Sequence, residues 1–232
     1  MTSYSDEGRK NLEIAERANK FVLWMYDEIK PFLKGNVIEI GSGRGTFSEY
    51  LAKDFDSITL CDIDSKYVNS LKERYKCPVY RMDISNEEDC KKIKSKADSA
   101  FSLNVFEHIE DDVKAMNNVY SLLNDGGTFV ILVPAHQFLY NSMDKVIGHH
   151  RRYSKKMLLN KVAQTPFKVK KIFYFNVLSI LGWYINGNIL KKRTVNESAM
   201  GILNKIVPCL KFVEKYILRK TMGLSVIAVL EK

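Results

Sequence analysis

The sequence predicts an α/β fold in which a parallel sheet carries helices on both faces. Three observations predict it. Short β-branched or apolar runs alternate with stretches of helical spacing through the first half of the chain, which is the pattern of βαβ units. The first of these runs ends in a glycine turn, Gly41-Ser42-Gly43-Arg44-Gly45, that leads straight into helical spacing, the context of a nucleotide-binding βα unit. Acidic residues then follow the next two runs, at Asp62 and Asp83, where the crevice beyond the strand ends would lie. With 232 residues, 46% hydrophobic and 27% charged, the chain can bury a core as one large domain. That composition excludes disorder, collagen and coiled coil as the main class.

In chain order, Ala18, Phe21, Val22, Met25, Ile29 and Leu33 share one face of a helix over Ala15–Leu33. Pro31 lies near its end, and Lys34-Gly35-Asn36 punctuates the chain. Val37–Ile40 is the first strand and Thr46–Lys53 the helix after the glycines. Ser57–Cys61, Ser65–Tyr75, Pro78–Met82 and the charged Glu87–Lys96 read as strand, helix, strand and helix. Ala97–Asn104 is the fourth strand. Asp111–Leu123 is a helix closed by Asn124-Asp125-Gly126-Gly127, and Thr128–Val133 is a buried-type strand ended by Pro134.

The rhythm changes after Pro134. Residues 136–153 are polar, aromatic and basic without a period, which predicts a long substrate loop. Ser154 can cap a helix to about Thr165. Phe167–Phe175 alternates as a strand, 176–222 is mostly helical, and Gly223 precedes a closing strand. Two late strands separated by that much helix predict a helical cap over 176–222, within a single domain spanning 1–232.

The net charge of +9 is uneven: residues 148–232 hold 17 Lys and Arg against 3 Asp and Glu, a net of +14. Such a region attracts phosphate, nucleic acid or a membrane surface, or only keeps exposed helix faces soluble. The apolar stretch Phe173–Leu190 approaches the roughly 20 residues of a membrane span. It carries three asparagines, however, and reads as a buried or interfacial helix. Cys61, Cys77, Cys90 and Cys209 are scattered without a CxxC, as reduced thiols rather than a disulfide frame or zinc site. The first twenty residues hold no apolar run of signal-peptide type. The expectation is a cytoplasmic protein with peripheral membrane contact open to it.

The glycine spacing is G-x-G-x-G, with Thr46 where a dinucleotide fingerprint has its last small residue. That disfavours a nicotinamide oxidoreductase. A carboxylate at Asp62 can accept both hydroxyls of a ribose. Asp64 better suits a helix cap, and Asp83 can accept a hydrogen bond from an adenine amino group. Glu39-Ile-Gly41-Ser-Gly43-Arg-Gly45, Asp62, Asp83, Asn104-Val-Phe106-Glu107-His108-Ile109-Glu110-Asp111 and Leu122–Val133 together resemble the class I S-adenosylmethionine-dependent methyltransferases. The resemblance covers residues 15–135. It implies a Rossmann-like seven-stranded sheet with its last strand antiparallel, and S-adenosylmethionine as cofactor. It further implies that Gly41, Ser42, Gly43 and Gly45 pass beside the methionine part, and that Glu39 organises that loop and the methionine amino group. Asp62 and Ile63 would hold the ribose, Asp83 and Ile84 the adenine, and Asn104, Val105 and Phe106 the inner side.

Gly148-His149-His150-Arg151-Arg152-Tyr153 resembles a G-H-x-R-R-Y signature of a bacterial subgroup associated with glycan or lipid-glycan enzymes. Methyl transfer from a sulfonium requires alignment and, for a hydroxyl acceptor, a base. Histidine suits that role. His149 is the preferred base, with a loop-stapling role as its alternative; His150 and His136 are further candidates, and His108 reads as structural rather than catalytic. Arg152 and Arg151 can bind a phosphate or carboxylate or form salt bridges to Glu107, Glu110 or Asp144, and Tyr153 can fix the loop or contact substrate. Glu107, His108, Glu110 and Asp111 read as charges at a helix N-terminus rather than a metal set. No Asp/Asn-Pro-Pro-aromatic tetrad or Pro-Cys follows the fourth strand, which disfavours nucleobase methylation. The expected acceptor is a small or lipid-linked molecule, open to being anionic. The rivals are an RNA methyltransferase using the basic region, and a non-catalytic cofactor-binding regulator.

Overall fold

A computed structural model describes residues 19–192, 197–214, 216 and 220–232. Seven strands form one sheet: β1 (Val37–Ile40), β2 (Ile58–Asp62), β3 (Val79–Arg81), β4 (Ala97–Leu103), β5 (Leu123–Pro134), β6 (Lys168–Phe175) and β7 (Ser225–Glu231). Their order is β3-β2-β1-β4-β5-β7-β6. β1 to β5 pair in parallel, and β7 runs antiparallel to both β5 and β6, as expected. The order reverses between β1 and β4, so the two chain crossovers leave in opposite directions and open a crevice at the strand C-termini.

The helices are α1 (Asn19–Ile29), α2 (Ser48–Asp54), α3 (Ser65–Arg74), α4 (Glu87–Cys90), α5 (Asp112–Leu122), α6 (Ser142–Ile147), α7 (Lys155–Val162), α8 (Ser179–Tyr184) and α9 (Glu197–Val213). Residues 15–18 of the expected first helix lie outside the described residues. Every residue of β1 is buried, as covering both sheet faces requires. One apolar cluster joins Ile38, Ile40, Phe106, Met116, Phe129 and Ile131. The other joins Trp24, Leu51, Leu60, Phe101, Val130 and Phe175.

Several elements differ from the sequence expectation. The charged helix stops at Cys90, because only Cys90 and Ile93 offer apolar anchors to the core. β5 starts at Leu123, and Asn124–Gly127 loops out of its pairing with β4 through Gly126 at φ 72°. The 136–153 segment is not a plain loop: it holds a 3-10 turn, Gln137–Leu139, and α6. Asn141 and Asp144 form a capping box at the start of α6, and Gly148 closes it at φ 83°.

The expected cap is two separate pieces. α8 continues into a π turn, Ile185–Ile189, and docks on residues 137–142. Trp183 Nε1 donates to the Leu139 carbonyl at 3.2 Å, and Asn141 Nδ2 to Asn188 Oδ1 at 3.0 Å. Gly187 permits that approach, since a Cβ there would sit 2.1 Å from Asn141 Nδ2. α9 lies along α1, burying Val207 and Leu210 in the Trp24 cluster, with Lys211 paired to Asp27 at 2.7 Å. Residues 193–196, 215 and 217–219 of the expected cap lie outside the described residues. No helix among the described residues is long and apolar enough to cross a membrane.

Candidate active site

A cleft of about 610 Å3 opens at the crevice. Part of its lining is Glu39, Gly41, Ser42, Gly43 and Asp62; the rest includes Asn104, Val105, His108, Tyr140 and residues 145–150. Gly41 sits at φ 79°, and a Cβ there would lie 2.3 Å from Val105 Cγ2; only glycine fits both the turn and the contact. Gly43, at φ 52°, faces open space. Gly45 does not line the cleft. A Cβ on it would meet Leu71 Cδ2 at 2.9 Å, so this glycine seats the loop on α3, which corrects the expectation that it flanks the cofactor.

Glu39 is 2% exposed and accepts from Ser48 Oγ. Burial pushes its carboxyl up to about 8, because its charged form has no cation beside it. Asp62 Oδ2 accepts from Gly43 N at 2.7 Å and Oδ1 from Asp64 N at 2.8 Å. These bonds fix its carboxylate in the cleft lining, while burial raises its pKa. Asp64 caps α3 through Lys66 N. Ile63, Met82 and Ile84 line the cleft, but Asp83 does not. Its Oδ1 accepts from Ser85 N and Oγ, so Asp83 shapes a turn and the apolar Met82 and Ile84 form the wall there. Asn104, at φ 54°, and Val105 face the cleft. Phe106 is fully buried against Phe129, with ring centroids 5.6 Å apart, and leaves the expected cofactor set.

The acceptor side is built by the G-H-H-R-R-Y segment and what it grips. His149 and His150 line the cleft. His149 Nδ1 stands 2.7 Å from Asp144 Oδ1, and His150 N donates to the Glu107 carbonyl at 2.8 Å. Arg152 and Tyr153 do not reach the cleft. Arg152 is 1% exposed, donates from Nε to Asp144 Oδ1 at 2.8 Å, and lies over the Trp183 ring at 4.5 Å. Tyr153 Oη donates to Asp112 Oδ2 at 2.7 Å. Arg151 donates to the Ile109 carbonyl, the Glu110 carbonyl and Asp112. These three side chains anchor the segment rather than bind substrate. His136 stacks on Tyr174 at 4.9 Å, outside the cleft lining.

Sequence reasoning missed Tyr140, Lys145, Val146 and Ile147, all in the cleft lining. The readable signal was Asn141-x-x-Asp144 followed by Gly148, a cap and a stop around one short helix. It also missed that Phe21 and Met25 line the cleft, because their helical spacing reads as core. No residue of 176–222 lines the cleft among the described residues; α8 instead buttresses the segment that does.

The sequence family described as a methyltransferase domain matches residues 12–176. The chain belongs to this family. It is an S-adenosylmethionine-dependent methyltransferase with the Rossmann-like sheet described above. Malonyl-(acyl-carrier protein) O-methyltransferase 1 of Ilyobacter polytropus is 26% identical over 90% of this chain and 86% of its own length. Among solved structures, a methyltransferase from Archaeoglobus fulgidus aligns with a TM-score of 0.59 at 18% identity, covering 91% of this chain and 94% of that one. One from Mesorhizobium loti aligns at 0.61 and 12% identity, covering 91% and 98%. The methyltransferase cleft fits its cofactor chemically. The buried Glu39 carboxyl lacks a cation, which an amino acid ammonium supplies; Gly43 leaves open space beside the backbone; and Asp62 offers acceptors to hydroxyls.

Proposed function

We propose that this methyltransferase is a small-molecule O-methyltransferase whose acceptor oxygen lies against the His108–His149 wall. The bound cofactor supplies an electrophilic methyl on a sulfonium that leaves as a neutral sulfide. Glu39 and the Gly41–Gly43 turn would hold its amino acid end, Asp62 its ribose, and Met82 and Ile84 its base. Asn104 and Val105 would separate it from the core.

The observation that carries the reading is the Asp144–His149 pair on the cleft wall. Asp144, itself gripped by Arg152, orients the imidazole through Nδ1, so Nε2 is the nitrogen able to take a hydroxyl proton. Lys145 also lines the cleft and is the acceptor-side cation for an anionic substrate, in place of the buried Arg152. A carboxylate acceptor needs no base, and the Ilyobacter relative is named for O-methylation of such a group. The candidate acceptors are therefore carboxylate-bearing thioesters, sugars and anionic metabolites.

The test is production of S-adenosylhomocysteine with a panel of malonyl thioesters, sugars and sugar phosphates. For a hydroxyl acceptor, His149→Gln is expected to lower kcat by about 10²- to 10⁴-fold while leaving S-adenosylhomocysteine affinity intact. Turnover of nitrogen acceptors alone, or full hydroxyl turnover in His149→Gln, would overturn the oxygen and base assignments respectively.

A lipid-linked acceptor has its own support. Phe138, Leu181 and Ile189 are 66%, 65% and 60% exposed, next to Lys191 and Lys192 in the basic third of the chain. This pairing suits an anionic membrane surface. Flotation with anionic vesicles, lost in Leu181→Asp/Ile189→Asp, is the expected result; no flotation at low salt removes the membrane reading. A steep salt-dependent affinity for RNA without vesicle binding would instead favour a nucleic-acid substrate.

A further inference from the structure

Glu107 and His108 lie on the 3-10 turn after β4, and His149 lies just beyond α6. Their ligand atoms all fall within 4.8 Å of one another. Glu107 is fully buried, yet neither of its carboxylate oxygens has a hydrogen-bond partner. The nearest basic nitrogen is His149 Nε2, 3.6 Å from Oε1, too far for a hydrogen bond. A buried carboxylate without a donor is rare and costly, and this one is aimed at two imidazoles.

Both imidazoles are held as a metal's outer partners hold its ligands. Asp144 Oδ1 lies 2.7 Å from His149 Nδ1. A carboxylate accepts, so Nδ1 carries the proton and Nε2 the lone pair. The Gly148 carbonyl, 3.2 Å from His108 Nδ1, sets the tautomer of that ring in the same way. Asp144 is balanced by Arg152 at 2.8 Å.

We propose that Glu107, His108 and His149 bind a divalent first-row transition ion, with its remaining positions open to the cleft that both histidines line. Two imidazoles and a carboxylate suit zinc, iron, cobalt or manganese better than calcium or magnesium. Bonds of about 2.1 Å place tetrahedral ligands about 3.4 Å apart, so the cluster contracts by about an ångström on binding. The open positions would take an oxygen of the acceptor, a role that rests on the methyl-transfer reading; binding of the ion does not. With the ion bound, His149 Nε2 is occupied, so the ion is an alternative to the base role of His149 in the proposed function. The ion acidifies the ligated hydroxyl instead, and its proton leaves to solvent.

The experiment is titration of untagged, chelator-stripped protein with zinc chloride by calorimetry and with cobalt chloride by visible absorption. The expected result is one ion per chain with micromolar or tighter affinity and a cobalt d–d band. Both are weakened at least tenfold in Glu107→Gln and in His149→Ala, with cooperative thermal unfolding retained in each as the check of folding. Absence of ion binding in protein that still binds S-adenosylhomocysteine, or binding unchanged in Glu107→Gln, overturns the proposal. The first of these leaves the methyltransferase reading intact. Ion binding without S-adenosylhomocysteine binding would strike that reading instead.

Discussion

Gly41 and Glu39 show how single residues set the cofactor half of the cleft. At φ 79°, with Val105 Cγ2 2.3 Å from where a Cβ would stand, Gly41→Ala suffers both backbone strain and a clash. Its expected cost is about 2–4 kcal/mol of stability, read by urea unfolding, together with weakened S-adenosylhomocysteine binding. Glu39 carries a pH signature. Its carboxyl is raised to about 8 in the folded chain by burial, against about 4.3 unfolded. Between those values the folded state holds more protons than the unfolded one, so this group's contribution to stability falls as pH rises through that window. A ligand ammonium beside it favours the charged form, so ligand binding releases a proton there. Affinity for S-adenosylhomocysteine should therefore rise from pH 6 to pH 8, by at most about tenfold per pH unit, and level off above. Calorimetry on Glu39→Gln should show that rise removed; an unchanged profile would mean that Glu39 does not face the ammonium.

At the scale of elements, the acceptor wall is one short helix held by buried charge. α6 has only six residues and relies on its capping box, on Gly148, and on Arg152 clamping Asp144 from behind. Arg152 also donates to the Ala135 carbonyl at 3.2 Å and rests on Trp183 of α8, so it joins β5, α6 and the helical insertion. Arg152→Ala strands Asp144 with one cationic partner fewer. Its expected cost is about 3–5 kcal/mol, measured by chemical denaturation. Arg151, more exposed and bonded largely to carbonyls, should cost less on truncation. Equal losses would contradict the division between the two arginines. In sequence both read either as anion binders or as salt-bridge partners of Glu107, Glu110 or Asp144, because charge alone does not tell a buried strut from a cleft ligand. The Asp144 that decides it is eight residues away, across a turn.

The whole molecule was legible where physics is local. Short apolar runs marked every strand and period 3.6 most helices, and the glycine turn with Asp62 located the crevice at the strand-order reversal. What escaped is what tertiary contact decides. Phe106, Asp83 and Gly45 stand beside true wall residues in sequence, but one position's shift turns a side chain into the core or a turn. The Glu107–His108–His149 cluster joins residues some forty positions apart, so no ligand spacing announces it. The insertion's apolar helices read as a cap, yet α8 packs behind the acceptor wall and α9 on α1, where Val207 and Leu210 join the Trp24 and Phe175 cluster. The central claim is that the crevice between β1 and β4 is an S-adenosylmethionine site organised by Asp62. Calorimetric titration with S-adenosylhomocysteine, with NADH as control, tests it most directly. One micromolar site per chain for the first, no binding of the second, and loss of the site in Asp62→Ala are the expected results. Binding of NADH alone, or S-adenosylhomocysteine binding indifferent to Asp62→Ala, would contradict it.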